Sequence, residues 1–179
     1  MAEFDSAKFN ELVLYIARQS EDDPNFGKTK LNKVLFYSDF LGYGVLGHSL
    51  TGATYQRRDY GPVPIQITSA RRQLVDLGLA EVERTWRFNY PQERLVAKRP
   101  ANMSVFSDAE KRLVDNVIAE LRNYSGVAVS ELSHREMGWQ LAEDREVIPY
   151  ETVFLAGPTM TTTDIKRGLT LWETSDEAA

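Results

Sequence analysis

The sequence predicts an α+β fold: a single, mostly α-helical domain with a small antiparallel β element. Several segments place apolar residues at the i, i+3, i+4 spacing of amphipathic helices. Two segments within residues 80–97 alternate instead with the period of two that strands show. The chain has 179 residues, of which 42% are hydrophobic and 26% charged, and this is the size and composition of one globular domain with its own core.

The first two helices are predicted from their start signals and their apolar stripes. Asp5 can cap a helix over Ser6–Gln19, and Phe4 and Phe9 occupy the two positions of a hydrophobic staple. A second helix is predicted to begin at Lys28, in "KTKLNKVLFYSDFLGYG". Because this helix is apolar on most of its circumference, we expect it to be central and buried.

A strand and a stiff corner follow in "TYQRRDYGPVP". The alternation of bulky and polar residues predicts a strand near residues 53–58, and the Gly-Pro-Val-Pro after it is expected to end the ladder. Pro64 suits the first turn of a third helix. That helix is expected to carry a stripe that ends at Gly78, with Leu79 packing back on Leu74; the stripe consists of Ile67, Ala70, Leu74 and Leu77.

The second half of the chain is predicted to contain a hairpin and three more helices. "AEVERTWR" and "ERLVA", joined by the Pro-containing loop "FNYPQ", predict the hairpin near residues 80–97. Ser107 and Glu110 form a capping box before a helix whose apolar stripe extends to Tyr124. "VSELSHRE" and "MGWQLA" predict two short helices, which "VIPYE" ends. We assign residues 1–156 to the domain and the Thr-rich, acidic residues 157–179 to a loosely held tail.

The composition narrows the function classes. The chain contains no cysteine, which excludes disulfides, thiolate metal sites and thiol nucleophiles. Its start lacks the features of a signal peptide and no apolar run approaches ~18 residues, so we expect a cytoplasmic protein without a membrane partner. The net charge is -5, yet residues 57–99 hold nine Lys/Arg against five Asp/Glu. A basic middle is therefore flanked by acidic ends, and we expect this segment to steer association.

No motif predicts a catalytic, metal or cofactor site. "GYGVLG", Gly42 to Gly47, matches the nucleotide-binding expression, but its glycines follow a helix and do not open one, so we interpret it as a helix exit. Glu131 and His134 make one E-x-x-H pair, which supplies too few ligands for a metal site. No serine lies in a G-x-S-x-G turn. We therefore expect no catalytic residue, no metal, no cofactor and no enzymatic activity.

A winged-helix DNA-binding regulator is the alternative interpretation. The third helix and the hairpin match the order of a recognition helix and a wing, and five arginines would then contact phosphates: Arg71, Arg72, Arg84, Arg87 and Arg94. The sequence pI of about 5.2 and the two prolines ahead of the helix argue against this interpretation. We expect DNA binding to be weak or absent.

Four motifs, taken in order, resemble one family. They are "KTKLNKVLFYSDFL", "SLTGATYQRRDYGPVP", "LVDLGLAEV" and "ELSHREMGWQLAEDREVIPYE", and the resemblance covers Lys28 to Glu151. In this order and spacing they resemble the Panacea domain, also called the SocA-like antitoxin domain. The resemblance implies a bacterial or prophage-encoded antitoxin that neutralises a protein toxin, the product of an adjacent gene, by direct binding.

The mode of neutralisation is not decided by the resemblance. One branch of that family acts as an adaptor that delivers its toxin to the ClpXP protease, so occlusion and proteolytic delivery are both open. The sequence also leaves open whether the chain forms a homodimer. The family brings no catalytic residues to carry over.

The corner and its surroundings supply the candidate contact residues. Tyrosine and arginine combine a large contact area with hydrogen bonds, and a proline-rich corner loses little entropy on docking. The candidate toxin-binding residues are Tyr55, Arg57, Arg58, Tyr60, Arg71 and Trp86. An architectural role is expected for Gly61, Pro62, Pro64, Trp139, Pro149 and Tyr150. A second interpretation stays open, in which Tyr55 and Tyr60 are half-buried core residues and Arg57 and Arg58 pair with local acids.

Overall fold

The predicted α+β class is confirmed by the structure, a computed structural model that describes residues 3–87 and 90–155. The predicted tail at 157–179 lies outside the described residues. Two 3₁₀ turns, at Met103–Val105 and Tyr150–Phe154, accompany the helices and strands. In chain order the helices and strands are α1 (Ser6–Gln19), α2 (Lys28–Leu46), β1 (Tyr55–Gln56), β2 (Val63–Pro64), α3 (Ile67–Asp76), β3 (Ala80–Arg87), β4 (Tyr90–Ala97), α4 (Asp108–Leu121), α5 (Gly126–Ser133), α6 (Met137–Leu141) and β5 (Val147–Ile148).

Helix α1 has the predicted bounds and the predicted start. The Asp5 carboxylate accepts a hydrogen bond from the backbone N–H of Lys8 at 2.9 Å, which caps the first turn. The rings of Phe4 and Phe9 lie 5.6 Å apart in an edge-on contact, as a hydrophobic staple requires. The cap and the staple therefore fix the direction in which the chain enters α1.

Helix α2 is the central element of the core, as predicted. Every residue from Lys30 to Phe40 is buried, and the helix contacts α1, α4, α5, β2 and β4. It continues through Gly42 and ends at Gly47, which has a φ of 80°. The interpretation of "GYGVLG" as a helix exit is therefore confirmed. An added Cβ at Gly42 would overlap the side chain of Leu50, so this glycine allows close packing of the chain that follows the helix.

A three-stranded antiparallel sheet forms at the corner, in the order β2-β1-β5. Tyr55 pairs with Pro64 on one side and with Ile148 on the other. Two expectations are therefore wrong: the ladder does not end at the corner, and Pro64 lies in a strand, since α3 begins only at Ile67. The reason is that β2 is an edge strand, where the missing N–H of proline costs no ladder hydrogen bond.

Helix α3 ends near the predicted glycine. Gly78 has a φ of 68°, and the backbone N–H of Leu79 donates to the carbonyl of Leu74 at 2.8 Å. Leu77, predicted to be part of the buried stripe, is exposed. The chain reverses at Gly78, so Leu79 packs against the core where Leu77 was expected to pack.

The hairpin forms from β3 and β4, but its predicted loop is too long. Strand β4 begins at Tyr90, so Pro91 lies in the ladder opposite Trp86. The connecting residues 88–89 lie outside the described part of the chain. Proline is again tolerated because a two-stranded ribbon consists only of edges.

The last helices match their predictions, except at one aromatic residue. The capping box of α4 is confirmed: the N–H of Ser107 donates to the Glu110 carboxylate at 2.8 Å, and the N–H of Glu110 donates to the Ser107 hydroxyl at 3.2 Å. Tyr124 lies beyond the end of α4 and is exposed, since the helix stops at Leu121. Helices α5 and α6 are the two predicted short helices.

Candidate binding surface

The corner, residues 57–62, is held in place by α2 and α5. Gly61 has a φ of 92°, and a Cβ at this position would overlap the Ser133 hydroxyl and lie 2.7 Å from Cε of Lys33. Only glycine fits both the backbone conformation and the space. The carbonyl of Pro62 accepts a hydrogen bond from Nζ of Lys33 at 3.0 Å. The corner is therefore fixed to two helices through both its backbone and its packing.

Tyr55 lies in the core, which corrects its assignment as a contact residue. Its side chain is 1% exposed, and its hydroxyl donates to Oδ2 of Asp39 at 2.7 Å. Asp39 also accepts hydrogen bonds from the N–H and the hydroxyl of Thr51. Burial raises the pKa of Asp39 to about 6, while the hydrogen bonds from Tyr55 and Thr51 oppose that shift. For Tyr55 the interpretation as a core residue is therefore correct.

Arg57 is half-buried and bonded to the segment around α6. Its Nη1 donates to the carbonyl of Ala142 at 2.6 Å, and its guanidinium lies 4.3 Å from the ring centroid of Trp139. The indole N–H of Trp139 donates to the carbonyl of Arg58 at 3.1 Å, and its ring stacks on His134 at 4.0 Å. These contacts support the architectural role expected for Trp139. They also make Arg57 part of the scaffold under the corner.

The segment after β5 closes over the same sheet. The hydroxyl of Tyr150 donates to the carbonyl of Ala53, and its ring lies 4.7 Å from that of Phe40. The carbonyl of Pro149 accepts a hydrogen bond from the N–H of Thr152 at 3.1 Å, which begins the last 3₁₀ turn. Pro149 and Tyr150 therefore tie the end of the described chain to β1 and α2, in keeping with their expected role.

An open groove of about 590 Å³ lies beside the corner, between α2 and the chain that leads into α3. Tyr60 lies at its rim and is 73% exposed, and Arg58 is exposed next to it. Three cationic side chains line the groove, those of Lys28, Lys33 and Arg58, against one acid, Asp59. Exposed apolar surface continues along it at Ile65. The groove therefore combines positive charge with exposed aromatic and aliphatic surface.

Two buried lysines on α2 differ in their partners. Nζ of Lys30 forms an ion pair with Asp23 at 2.5 Å and donates to two backbone carbonyls, those of Arg122 and Tyr124, each at 2.8 Å. Lys33 is 0% exposed, and within the described part of the chain its Nζ has the Pro62 carbonyl as a partner and no carboxylate. Burial lowers the pKa of Lys33 to about 7.

Sequence reasoning missed this group of residues, although a signal was present. Helix α2 is apolar around most of its circumference, so polar residues in its middle must be buried as well. Lys33 and Asn32 are such residues, and the buried side-chain oxygen of Asn32 has no hydrogen-bond partner among residues 3–87 and 90–155. Ser38 and Asp39 lie one to two turns further along the same buried helix. A polar residue in the middle of an apolar helix therefore indicates a buried polar group that needs a partner.

The pKa of Lys33 predicts a pH dependence of stability. Between the folded value of about 7 and the ordinary value of 10.5, the unfolded lysine holds a proton that the folded one has released, so stability rises with pH. We expect the free energy of unfolding to increase by about 1 kcal/mol per pH unit from pH 7 to 9 through this group. Urea denaturation at pH 7, 8 and 9 measures it, with Lys33→Met as the comparison. An equal slope in the variant would contradict the assignment.

Trp86, the tryptophan among the candidate toxin-binding residues, lies on the hairpin. Trp86 is 77% exposed, whereas Leu95 is buried. Both side chains lie on the same face of the ribbon, and Leu95 belongs to the cross-strand pair four positions closer to the core. On this face the Arg84–Glu93 ion pair lies between them, so the indole of Trp86 is exposed beyond a charged pair. Arg71 is half-buried, and its Nη2 lies 3.4 Å from the Glu93 carboxylate. Arg58, Tyr60 and Trp86 are thus exposed, while Arg71 is paired within the domain.

Four of the five arginines assigned to DNA in the alternative interpretation have partners inside the molecule. Arg71 and Arg84 both lie 3.4 Å from the carboxylate of Glu93. Arg94 donates to the carbonyl of Ser20 at 2.7 Å. Arg72 lies 3.8 Å from Asp76, and the side chain of Arg87 is outside the described residues. The positive charges of the four described arginines are therefore mainly paired within the domain.

Comparison with known proteins identifies the family of the chain. Among the described residues, no three His, Asp or Glu side chains form a cluster suited to a metal ion, and no helix there has the length and apolar character of a membrane span. No curated protein and no solved structure matches the chain significantly. The family model described as "Antitoxin SocA-like, Panacea domain" matches residues 31–140, which include α2, the corner, the hairpin and α5. The chain therefore belongs to the SocA-like antitoxin family that is defined by the Panacea domain.

Proposed function

We propose that this chain neutralises a protein toxin, encoded by an adjacent gene, by binding it directly through a corner surface. The corner surface consists of the groove with Arg58 and Tyr60 at its edge, and of Trp86 on the hairpin. The observation that carries the proposal is the exposure of Tyr60 at the rim of a positively charged groove. Aromatic and arginine side chains in such positions are typical anchors of protein interfaces.

The corner is rigid, which favours binding. Gly61 occupies a backbone conformation and a space that suit only glycine, and the carbonyl of Pro62 is bonded to Lys33. A loop that is already ordered loses little conformational entropy when it docks, so more of the contact energy appears as affinity.

The hairpin packs against the chain segments that flank the groove. Gly27, just before the groove residue Lys28, lies against the side chain of Gln92 on β4, 3.2 Å from the position of a Cβ. Arg71 of α3 reaches Glu93, which lies on the same face of the hairpin as Trp86. We therefore propose that one partner contacts both the corner and the hairpin.

The test is co-expression of the chain with the adjacent gene product in bacteria. We expect the wild-type chain to restore growth and to co-purify with the toxin. Tyr60→Ala and Trp86→Ala should each weaken binding at least tenfold, because truncation of an interface anchor costs about 2 kcal/mol or more. The melting temperature should change little, since exposed substitutions shift stability by only about 0.5 kcal/mol. Growth rescue, pull-down and thermal denaturation measure these effects.

Tyr124→Ala is the matched control, because Tyr124 is an exposed tyrosine that does not line the groove. It should retain rescue and binding. A large loss of melting temperature in Tyr60→Ala would place Tyr60 in the structural framework, and the contact surface would then lie elsewhere. Failure of the wild-type chain to protect against any neighbouring gene product would defeat the proposed function. The same assay in cells without ClpXP separates occlusion from proteolytic delivery.

A further inference from the structure

We infer that the groove is a binding site for a carboxylate of the partner, with Lys33 at its base and Arg58 at its rim. The inference rests on the proposed function, because its occupant is an acidic segment of the toxin. It adds the chemistry by which the corner surface recognises that segment.

Counting partners from the described residues alone, Lys33 has unfilled hydrogen-bonding capacity at the base of the groove. An ammonium group has three N–H donors, and the Pro62 carbonyl accepts one of them at 3.0 Å. Lys30, one turn earlier on the same helix, shows what a buried lysine normally requires: a carboxylate and two carbonyls. Within the described residues Lys33 has no such carboxylate, so it is able to pair with an anion that comes from outside the domain.

The surroundings of Lys33 favour an anionic occupant. Lys28 and Arg58 line the same groove, and Asp59 is the one acid among its lining residues. The side-chain oxygen of Asn32, next to Lys33, is buried and has no hydrogen-bond partner in the part of the chain that the structure describes. Lys33 and Asn32 therefore hold unused donors and an unused acceptor beneath the floor of the groove, and a carboxylate whose adjoining backbone N–H binds as well would use both once the floor opens.

The shape of the groove favours a peptide over a free ion. Its volume of about 590 Å³ is far larger than a single carboxylate needs, and Val63, Ile65 and Ile67 form an apolar wall beside the charges. An acidic side chain followed by apolar residues would fill both parts. The excess of basic groups in residues 57–99 would attract such a segment from a distance.

The test is NMR spectroscopy of the full chain with lysine labelled at ¹³Cε. The probe is hexaglutamate with an acetylated N-terminus and an amidated C-terminus. We expect saturable shifts of the Lys33 signal, assigned by its loss in Lys33→Met, and a rise of its measured pKa by about one unit, since a bound carboxylate stabilises the charged form. The Lys30 signal is the internal control and should not move, because its donors are already occupied.

Fluorescence anisotropy of the labelled peptide gives the affinity. Lys33→Met and Arg58→Glu should each weaken binding at least tenfold, while the amide spectrum shows that both variants are folded. Capped hexaglutamine should not bind. Equal binding of hexaglutamine, or an unshifted Lys33 signal at saturating hexaglutamate, would overturn the inference. Inorganic phosphate that competes as well as the peptide would also overturn it, since the site would then be a general anion site.

The two proposals can fail separately. Wild-type rescue without any binding of hexaglutamate would leave the antitoxin function standing and remove the carboxylate site. Binding of hexaglutamate at Lys33 without rescue from a neighbouring gene product would leave the carboxylate site standing and remove the antitoxin function.

Discussion

Replacing Lys30 by methionine is expected to lower the free energy of unfolding by about 3–5 kcal/mol, the range found when one partner of a buried ion pair is removed. The substitution keeps most of the aliphatic volume but leaves Asp23 as a buried carboxylate without its ammonium partner. The carbonyls of Arg122 and Tyr124 also lose a donor. Urea denaturation at pH 7, followed by circular dichroism, measures the loss.

The matched control is Lys33→Met, three positions further along α2. Here the substitution removes a cation that has no carboxylate partner within the described residues, so the gain from ending its desolvation offsets the lost bond to Pro62. We expect the free energy of unfolding to stay unchanged or to increase at pH 7. Equal destabilisation by the two substitutions would show that Lys33 is satisfied in the folded protein, and it would also remove the basis of the carboxylate site.

Gly61→Ala is expected to destabilise the domain by about 3 kcal/mol. A non-glycine residue at a positive φ costs roughly 1–2 kcal/mol, and overpacking of a filled site adds typically 1–3 kcal/mol. The new methyl group would overlap the Ser133 hydroxyl and the end of Lys33, both of which are buried. Thermal and urea denaturation measure the effect, and we expect toxin binding to weaken because the corner must shift.

Gly47→Ala separates the two causes. Gly47 has a φ of 80°, close to that of Gly61, but among the described residues no atom from another part of the chain lies within 4 Å of the position that a Cβ would occupy there. This control therefore reports the backbone cost alone, and it should be clearly smaller than the loss in Gly61→Ala. If the two variants lost the same stability, the close approach of α2 and α5 to the corner would carry no energetic weight.

Local signals in the sequence predicted most of the helices, because caps and apolar stripes act within a few residues. Asp5 and the pair Ser107 and Glu110 mark helix starts that the structure confirms. The strands were predicted less well. Pairing of β1 with β2 and β5 depends on tertiary contacts, so a two-residue strand that contains Pro64 leaves no periodic pattern to detect.

The candidate surface was predicted only in part, for a similar reason. Residue type identified Tyr55 and Tyr60 equally, since both are tyrosines in one segment. The structure separates them through Asp39, which binds the hydroxyl of Tyr55 inside the core, whereas Tyr60 lies at the groove. Lys33 was overlooked because a lysine is normally counted as a surface residue. Its burial follows from its place on α2, a property of the helix as a whole.

The sheet at the corner has a consequence for the order in which the protein is built during translation. β1 receives its second partner strand only at Val147–Ile148, and Tyr150 bonds to Ala53 across 97 positions. Contacts of such high sequence separation form slowly compared with helices, because a long loop must close first. A nascent chain that has emerged only as far as α4 therefore lacks one side of the corner. We therefore expect competence to bind a partner to arise only after residues 147–150 have emerged and folded back onto the first half of the chain.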